Sequence, residues 1–121
     1  MGKENEKQEI CNRIKSVMEQ KSLYLDPDFC TKDLAEMLGV HPNKISAALN
    51  NIEKQSFRNY LNSYRIEAFK TKLEDYDSKK ETLIGLAYES GFNSKASFNR
   101  CFKMTEGISP SEYLKRSQNT F

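Results

Sequence analysis

What this chain lacks removes several classes of protein. No apolar run approaches the roughly 18 residues that a membrane-spanning helix needs. The opening Met1-Gly2-Lys3-Glu4-Asn5-Glu6 is charged and has no apolar core of the kind a secretory signal carries. Met1-Gly2 reads as a cloning scar ahead of a piece of a longer protein. There is one histidine, so a metal site is not expected. Three cysteines, Cys11, Cys30 and Cys101, are odd in number and widely spaced. They make neither a disulfide framework nor a zinc pattern, and read as small buried or half-buried thiols in a reducing cytoplasm. A glycine-rich phosphate loop and a Ser-His-Asp set are both missing, and the carboxylates are scattered. The expectation is therefore no enzyme and no cofactor. Three prolines and five glycines interrupt the chain, which favours helices.

What is present is a soluble globular composition, 37% hydrophobic and 30% charged, over 121 residues. That length suits one domain or two very small ones. The net charge of +2 permits nucleic-acid binding without arguing for it, because local basic patches matter more than totals.

The most informative feature is an internal repeat. Leu34-Ala35, three residues, Gly39 and Val40 recur as Leu86-Ala87, three residues, Gly91 and Phe92, an offset of 52. Beyond the glycines the offset becomes 53: Ile45 matches Phe98, Leu49 matches Phe102, and Ser56-x3-Tyr60-Leu61 matches Ser109-x3-Tyr113-Leu114. One extra residue therefore sits between glycine and core in the second copy. Such a repeat means one supersecondary unit used twice. Helix, glycine turn, helix is the arrangement that reads DNA in helix-turn-helix proteins.

Periodicity and capping signals place seven helices. Residues 7–21 put Ile10, Cys11, Ile14, Val17 and Met18 on one face. A connector follows, with turn chemistry at Asp26-Pro27-Asp28. Thr31 is the expected cap of a helix ending at Gly39, and His41-Pro42 opens the next, to about Asn51. Ser56 opens what should be the longest helix, to about Glu74. Its apolar residues form two stripes: Phe57, Tyr60, Leu61, Tyr64 and Ala68, then Ile66, Phe69, Leu73 and Tyr76. Two stripes suit a strut gripped by a different unit at each end. Residues 75–81 read as a loop. Thr82 or Ser78 caps a helix ending at Gly91, Ser94 caps one from Lys95 to Glu106, and Ser109-Pro110-Ser111-Glu112 starts the last. The tail after Arg116 is expected to fray.

Leu86-Ala87-Tyr88-Glu89-Ser90-Gly91-Phe92, Ser97-Phe98, Arg100, Phe102-Lys103 and Gly107-Ile108-Ser109-Pro110-x2-Tyr113 resemble the signature of the AraC/XylS family of bacterial transcription regulators. Tyr60-Leu61 and Arg65-Ile66-x-Ala68 resemble that family's first unit and linker helix. The resemblance spans about residues 23–117. It implies an all-α, homeodomain-like fold of seven helices, with two helix-turn-helix units joined by a long linker helix. The divisions expected are 1–22 for an N-terminal helix, 23–75 for the first unit with its linker, and 76–121 for the second unit and a polar tail.

The resemblance also implies that the second helix of each unit is the DNA reader, the two entering adjacent major-groove segments. In the first reader Ile45 and Leu49 face inward, so Asn43, Lys44, Ser46 and Ala47 are the expected base contacts. In the second Phe98 and Phe102 face inward, leaving Lys95, Ala96, Asn99 and Arg100. His41, Ser94 and Lys103 are the expected phosphate contacts. The residue types suit this chemistry: Arg bonds a guanine edge bidentately, Asn an adenine edge, Ala can touch a thymine methyl, and Lys serves guanine or phosphate. Ser94 and the amides at its helix start form a phosphate seat.

The first unit departs from the family pattern with Asn50 where a basic residue often follows the core leucine, Ala47 in place of an outward Arg, and His41 in place of a Ser or Thr cap. The expected partners are double-stranded DNA, RNA polymerase, and a sensor or ligand-binding region outside this stretch, with no metal. The expected place is the cytoplasm, with a membrane-anchored parent compatible. The rival reading is a helical protein-interaction module that reuses the fold. Such a module should expose apolar or aromatic anchors on its readers.

Overall fold

The computed structural model of the chain describes residues 3–118. Its seven α-helices are α1 (Lys3–Lys21), α2 (Thr31–Leu38), α3 (Pro42–Ala48), α4 (Phe57–Leu73), α5 (Leu83–Glu89), α6 (Lys95–Glu106) and α7 (Pro110–Gln118). A 3₁₀ turn spans Leu23–Leu25 and a π turn spans Leu49–Glu53. No strand occurs among the described residues. The reading made for Met1-Gly2 lies outside the described residues, as does the tail beyond Gln118; Ser117 and Gln118, expected to fray, are still helical in α7.

The chain forms two compact units, Met1–Leu61 and Asn62–Phe121. In the first, α1 buries Ile10, Cys11, Ile14 and Met18 and packs on α2 and α3. Those helices contribute Leu34, Ala35, Leu38, Ile45 and Ala48 to the core, joined by Leu49 of the π turn. The Arg13 guanidinium donates to the Leu38 carbonyl, one of the acceptors that the end of α2 leaves without a helical partner. Tyr60 and Leu61, from the first turns of α4, are also buried, and Phe57 stands 6.1 Å from Phe29, centroid to centroid.

Three expectations need correcting here. The longest described helix is α1, at 19 residues against 17 for α4. It starts at Lys3 because the Lys, Glu and Gln residues of that stretch are good helix formers, helped by Gln8 donating to Asn12 at 3.0 Å. The cap of α2 is Cys30 and not Thr31. The Asp33 carboxylate accepts the Cys30 N–H at 3.1 Å and its thiol at 3.2 Å, so the aspartate closes the helix start even though the cap side chain is not a hydroxyl. Cys30 is exposed, against the expectation of a buried or half-buried thiol, whereas Cys11 is buried and Cys101 half-buried as expected. Burial pushes both of those thiols above their ordinary range.

In the second unit, the later turns of α4 supply Ile66, Phe69 and Leu73 to a core completed by Leu86, Ala87, Phe92, Phe98 and Phe102. Phe98 stands at its centre, with ring centroids 4.7 Å from Phe69, 5.2 Å from Phe92 and 5.9 Å from Phe102. Of the early stripe, Tyr60 and Leu61 are buried in the first unit, whereas Tyr64 and Ala68 are half-buried and fall in the second. Of the two candidate caps for α5, Thr82 is the one used: its Oγ1 accepts the Gly85 N–H at 3.0 Å. Ser109 Oγ accepts the Glu112 N–H at 3.2 Å at the start of α7.

Lys70 on α4 reaches Glu106 at the end of α6, 3.1 Å away, and lies 5.8 Å from the centre of the Tyr113 ring. The hydrogen bond to Glu106 holds the Lys70 ammonium above its ordinary 10.5, against an opposing push from burial. A folded value raised in this way contributes stability that is complete below the unfolded value and disappears as pH rises through the folded one. Glu106→Gln should therefore cost about 0.5–1 kcal/mol near neutral pH. The gap between variant and parent should close once Lys70 has lost its proton. Urea unfolding of both proteins across that alkaline range checks it; a gap that persists unchanged would assign the cost to something other than the ion pair.

Candidate nucleic-acid interface

The two copies of the repeat build the same turn. In the first, Val40 N–H bonds the Ala35 carbonyl at 3.1 Å; in the second, Phe92 N–H bonds the Ala87 carbonyl at 3.1 Å. Both turns pass through a left-handed glycine, Gly39 at φ 68° and Gly91 at φ 108°. A Cβ on Gly39 would meet nothing within 4 Å, so the requirement at this position is backbone conformation and not space. The second helix begins at Pro42 in one copy and at Lys95 in the other. The residue that changes the repeat offset therefore lies in the turn, and it leaves the helix faces in register.

The second helix of each repeat is capped from within its own turn. His41 Nδ1 accepts the Asn43 N–H at 3.0 Å, and Nε2 is the ring nitrogen that this cap does not use. Ser94 Oγ accepts the Ser97 N–H at 3.1 Å and keeps its own O–H to give. Behind α3, Ile45 and Leu49 are fully buried; behind α6, Phe98 and Phe102 are. With those faces turned inward, Asn43, Lys44, Ala47 and His41 are exposed and Ser46 is half-buried. Lys95, Ala96, Asn99, Arg100 and Lys103 are exposed, with Ser94 half-buried. The helix of the first unit overruns its expected end at Asn51. It widens into the π turn and closes at Lys54, which adopts a left-handed φ of 58°.

The two outward faces differ in charge. On α6, Lys95, Arg100 and Lys103 stand on the exposed surface, and the acidic Glu106 is engaged by Lys70. The Arg100 and Arg65 charges and a hydrogen bond from Thr105 draw the Cys101 thiol downward, against the larger effect of its burial. On α3, Lys44 Nζ is bound to Glu6 Oε1 of α1 at 2.6 Å.

Two residues at these faces escaped the sequence reading. Met104 is 75% exposed and follows Arg100 by one helical turn; the spacing alone could have found it. Glu6 lies 38 positions from Lys44, and no local pattern could have paired them. Among the described residues, no group of three or more His, Cys, Asp or Glu side chains could hold a metal ion. No described helix is long and apolar enough to cross a membrane.

A family model described as a helix-turn-helix domain matches residues 34–116. Over 102 residues the chain is 30% identical to an HTH-type transcriptional regulator of Staphylococcus aureus; the match takes in 84% of this chain and 13% of that protein. It is 28% identical over 112 residues to the HTH-type transcriptional regulator YijO of Escherichia coli, covering 89% of this chain and 38% of YijO. The fold is similar to that of the C-terminal domain of AraT, a response regulator from Geobacillus stearothermophilus, with a TM-score of 0.72, 23% identity, and 88% and 84% of the two chains covered. A protein of Listeria innocua gives a TM-score of 0.71 at 25% identity, over 88% of this chain and 94% of that one.

Proposed function

The chain belongs to the AraC/XylS family of helix-turn-helix proteins, and on that premise we propose that it is the DNA-binding part of a bacterial transcription regulator with two recognition helices, α3 and α6. Each reader enters its own major-groove segment, so one chain covers an asymmetric site. Asn43, Lys44, Ser46 and Ala47 meet bases from the first reader; Lys95, Ala96, Asn99 and Arg100 meet them from the second. His41, Ser94 and Lys103 hold phosphates.

The observation that carries this reading is the outward face of α6. It offers Lys95, Asn99, Arg100 and Lys103 to solvent, on a helix whose start is capped by Ser94. These are the side chains that bond base edges and phosphates. A protein-docking face should instead present an apolar patch of a few hundred Å², and one exposed Met104 does not make one. The chain spans 13% of the staphylococcal relatives' length, which supports a sensor or ligand-binding region elsewhere in a parent protein. RNA polymerase is the protein partner that the family implies, and the bacterial cytoplasm is where this DNA lies.

Binding to double-stranded DNA should weaken steeply with salt. Plotted as logarithms, affinity against salt should fall with a slope of about −0.9 for each phosphate neutralised. Lys103→Ala should weaken binding to all sequences alike and reduce that slope by about one. Titration by fluorescence anisotropy at several salt concentrations measures both. Affinity that does not change between low and physiological salt would rule out the DNA reading.

A further inference from the structure

The first reader does not present its lysine freely. Lys44 Nζ sits 2.6 Å from Glu6 Oε1, a charge-assisted contact between α3 and the amino-terminal part of α1. Beside it runs a shallow groove of about 180 Å³ lined by Glu6, Lys7, Ile10, Lys44 and Ala47. The start of α1 therefore flanks the edge of the reader where two expected base contacts, Lys44 and Ala47, stand. Both partners of the ion pair are about half exposed, 55% and 48%. Water and salt screen such a pair, so it biases the lysine without locking it. A guanine edge and the Glu6 carboxylate both offer acceptors to the same ammonium group, and Lys44 cannot be fully engaged by both.

We propose that Glu6 is a positioning residue for the first reader: it holds Lys44 against α1 in the free protein, and DNA must take the lysine from it. The proposal rests on the DNA-binding reading above. Its consequence is that part of the electrostatic gain from Lys44 is offset before DNA arrives, because freeing the lysine gives up its ion pair with Glu6. The first reader is thereby kept nearly neutral, and the basic character of the domain's DNA face is concentrated on α6.

The test is a double-mutant cycle on the whole chain with a labelled duplex across a range of salt. Glu6→Gln keeps the shape and removes the charge. It should tighten binding about two- to fivefold at low salt, the equivalent of one exposed ion pair. It should also steepen the salt dependence, because the ion pair that opposes binding in the parent is itself screened as salt rises. In a Lys44→Gln background the same change should have no effect on the slope. If Glu6→Gln tightens binding equally in both backgrounds, the glutamate acts only as a general negative charge and the proposal fails. It also fails if the slope does not change. If the parent itself binds DNA without salt dependence, the DNA-binding reading falls and this inference falls with it. Both side chains are exposed, so circular dichroism of the variants should match the parent.

Discussion

Phe98→Ala should remove the fold of the second unit from the range in which it works. Phe98 is 2% exposed and meets the rings of Phe69, Phe92 and Phe102 at the centre of the core. Truncating a buried phenylalanine costs about 3–5 kcal/mol, from lost transfer energy and the cavity left behind. Small domains hold only about 5–15 kcal/mol in total, and a unit bounded by Asn62 and Phe121 belongs to the marginal end of that range. At about 4–8 °C per kcal/mol for a domain of this size, the melting point should drop by more than about 12 °C. DNA binding should be lost in parallel, because α6 carries Phe98 on its inner face and Arg100 on its outer one. Phe98→Leu refills most of the volume and should recover much of both. Thermal melts followed by circular dichroism provide the measurement. A drop of only a few degrees for the alanine variant would mean that this aromatic cluster does not carry the stability assigned to it.

Arg100→Ala should do the opposite: leave the fold intact and damage recognition. The side chain is exposed on α6, so the melting point should hold. A bidentate arginine contact to a guanine discriminates by about 1–3 kcal/mol, so affinity for the best operator should fall by about five- to 150-fold. The preference at one base pair should relax, with the other positions retained. On the proposed reading, Asn43→Ala should cost less, since α3 has Ala47 in place of an outward arginine and its Lys44 is paired with Glu6. Competition of the variants against a set of singly substituted operators separates these outcomes. If Arg100→Ala bound every operator as tightly as the parent while Asn43→Ala lost discrimination, the first unit would be the main reader.

Much of this architecture is legible residue by residue, and the reason is range. His41 capping Asn43, Ser94 capping Ser97, Thr82 capping Gly85 and Ser109 capping Glu112 are contacts across two or three positions. A capping side chain meets a backbone amide that its own turn brings near, whatever the rest of the chain does. The same holds for the left-handed Gly39 and Gly91. The two-stripe pattern of α4 also has a local origin, since helical geometry assigns Ile66, Phe69 and Leu73 to a different face from Tyr60 and Leu61. Where local inference slipped, competing local signals were close in strength. Cys30 took the cap from Thr31 because Asp33 closed the box, and the charged start of α1 was good enough helix to extend it to Lys3.

Whether a polar side chain is available to a ligand is a different kind of property. Arg100 and Lys44 look alike in sequence, each a basic residue on the outer face of a repeat's second helix. One stands exposed on α6, and the other is held by a carboxylate 38 positions away. Lys70 likewise finds Glu106 across α4 and α6. Helix faces and caps follow from 3.6 residues per turn and the backbone's need for hydrogen-bond partners, both of which act within a few residues. Ion pairs between helices follow from which surfaces packing brings within about 4 Å, and that distance exists only once the hydrophobic faces of those helices have closed on one another.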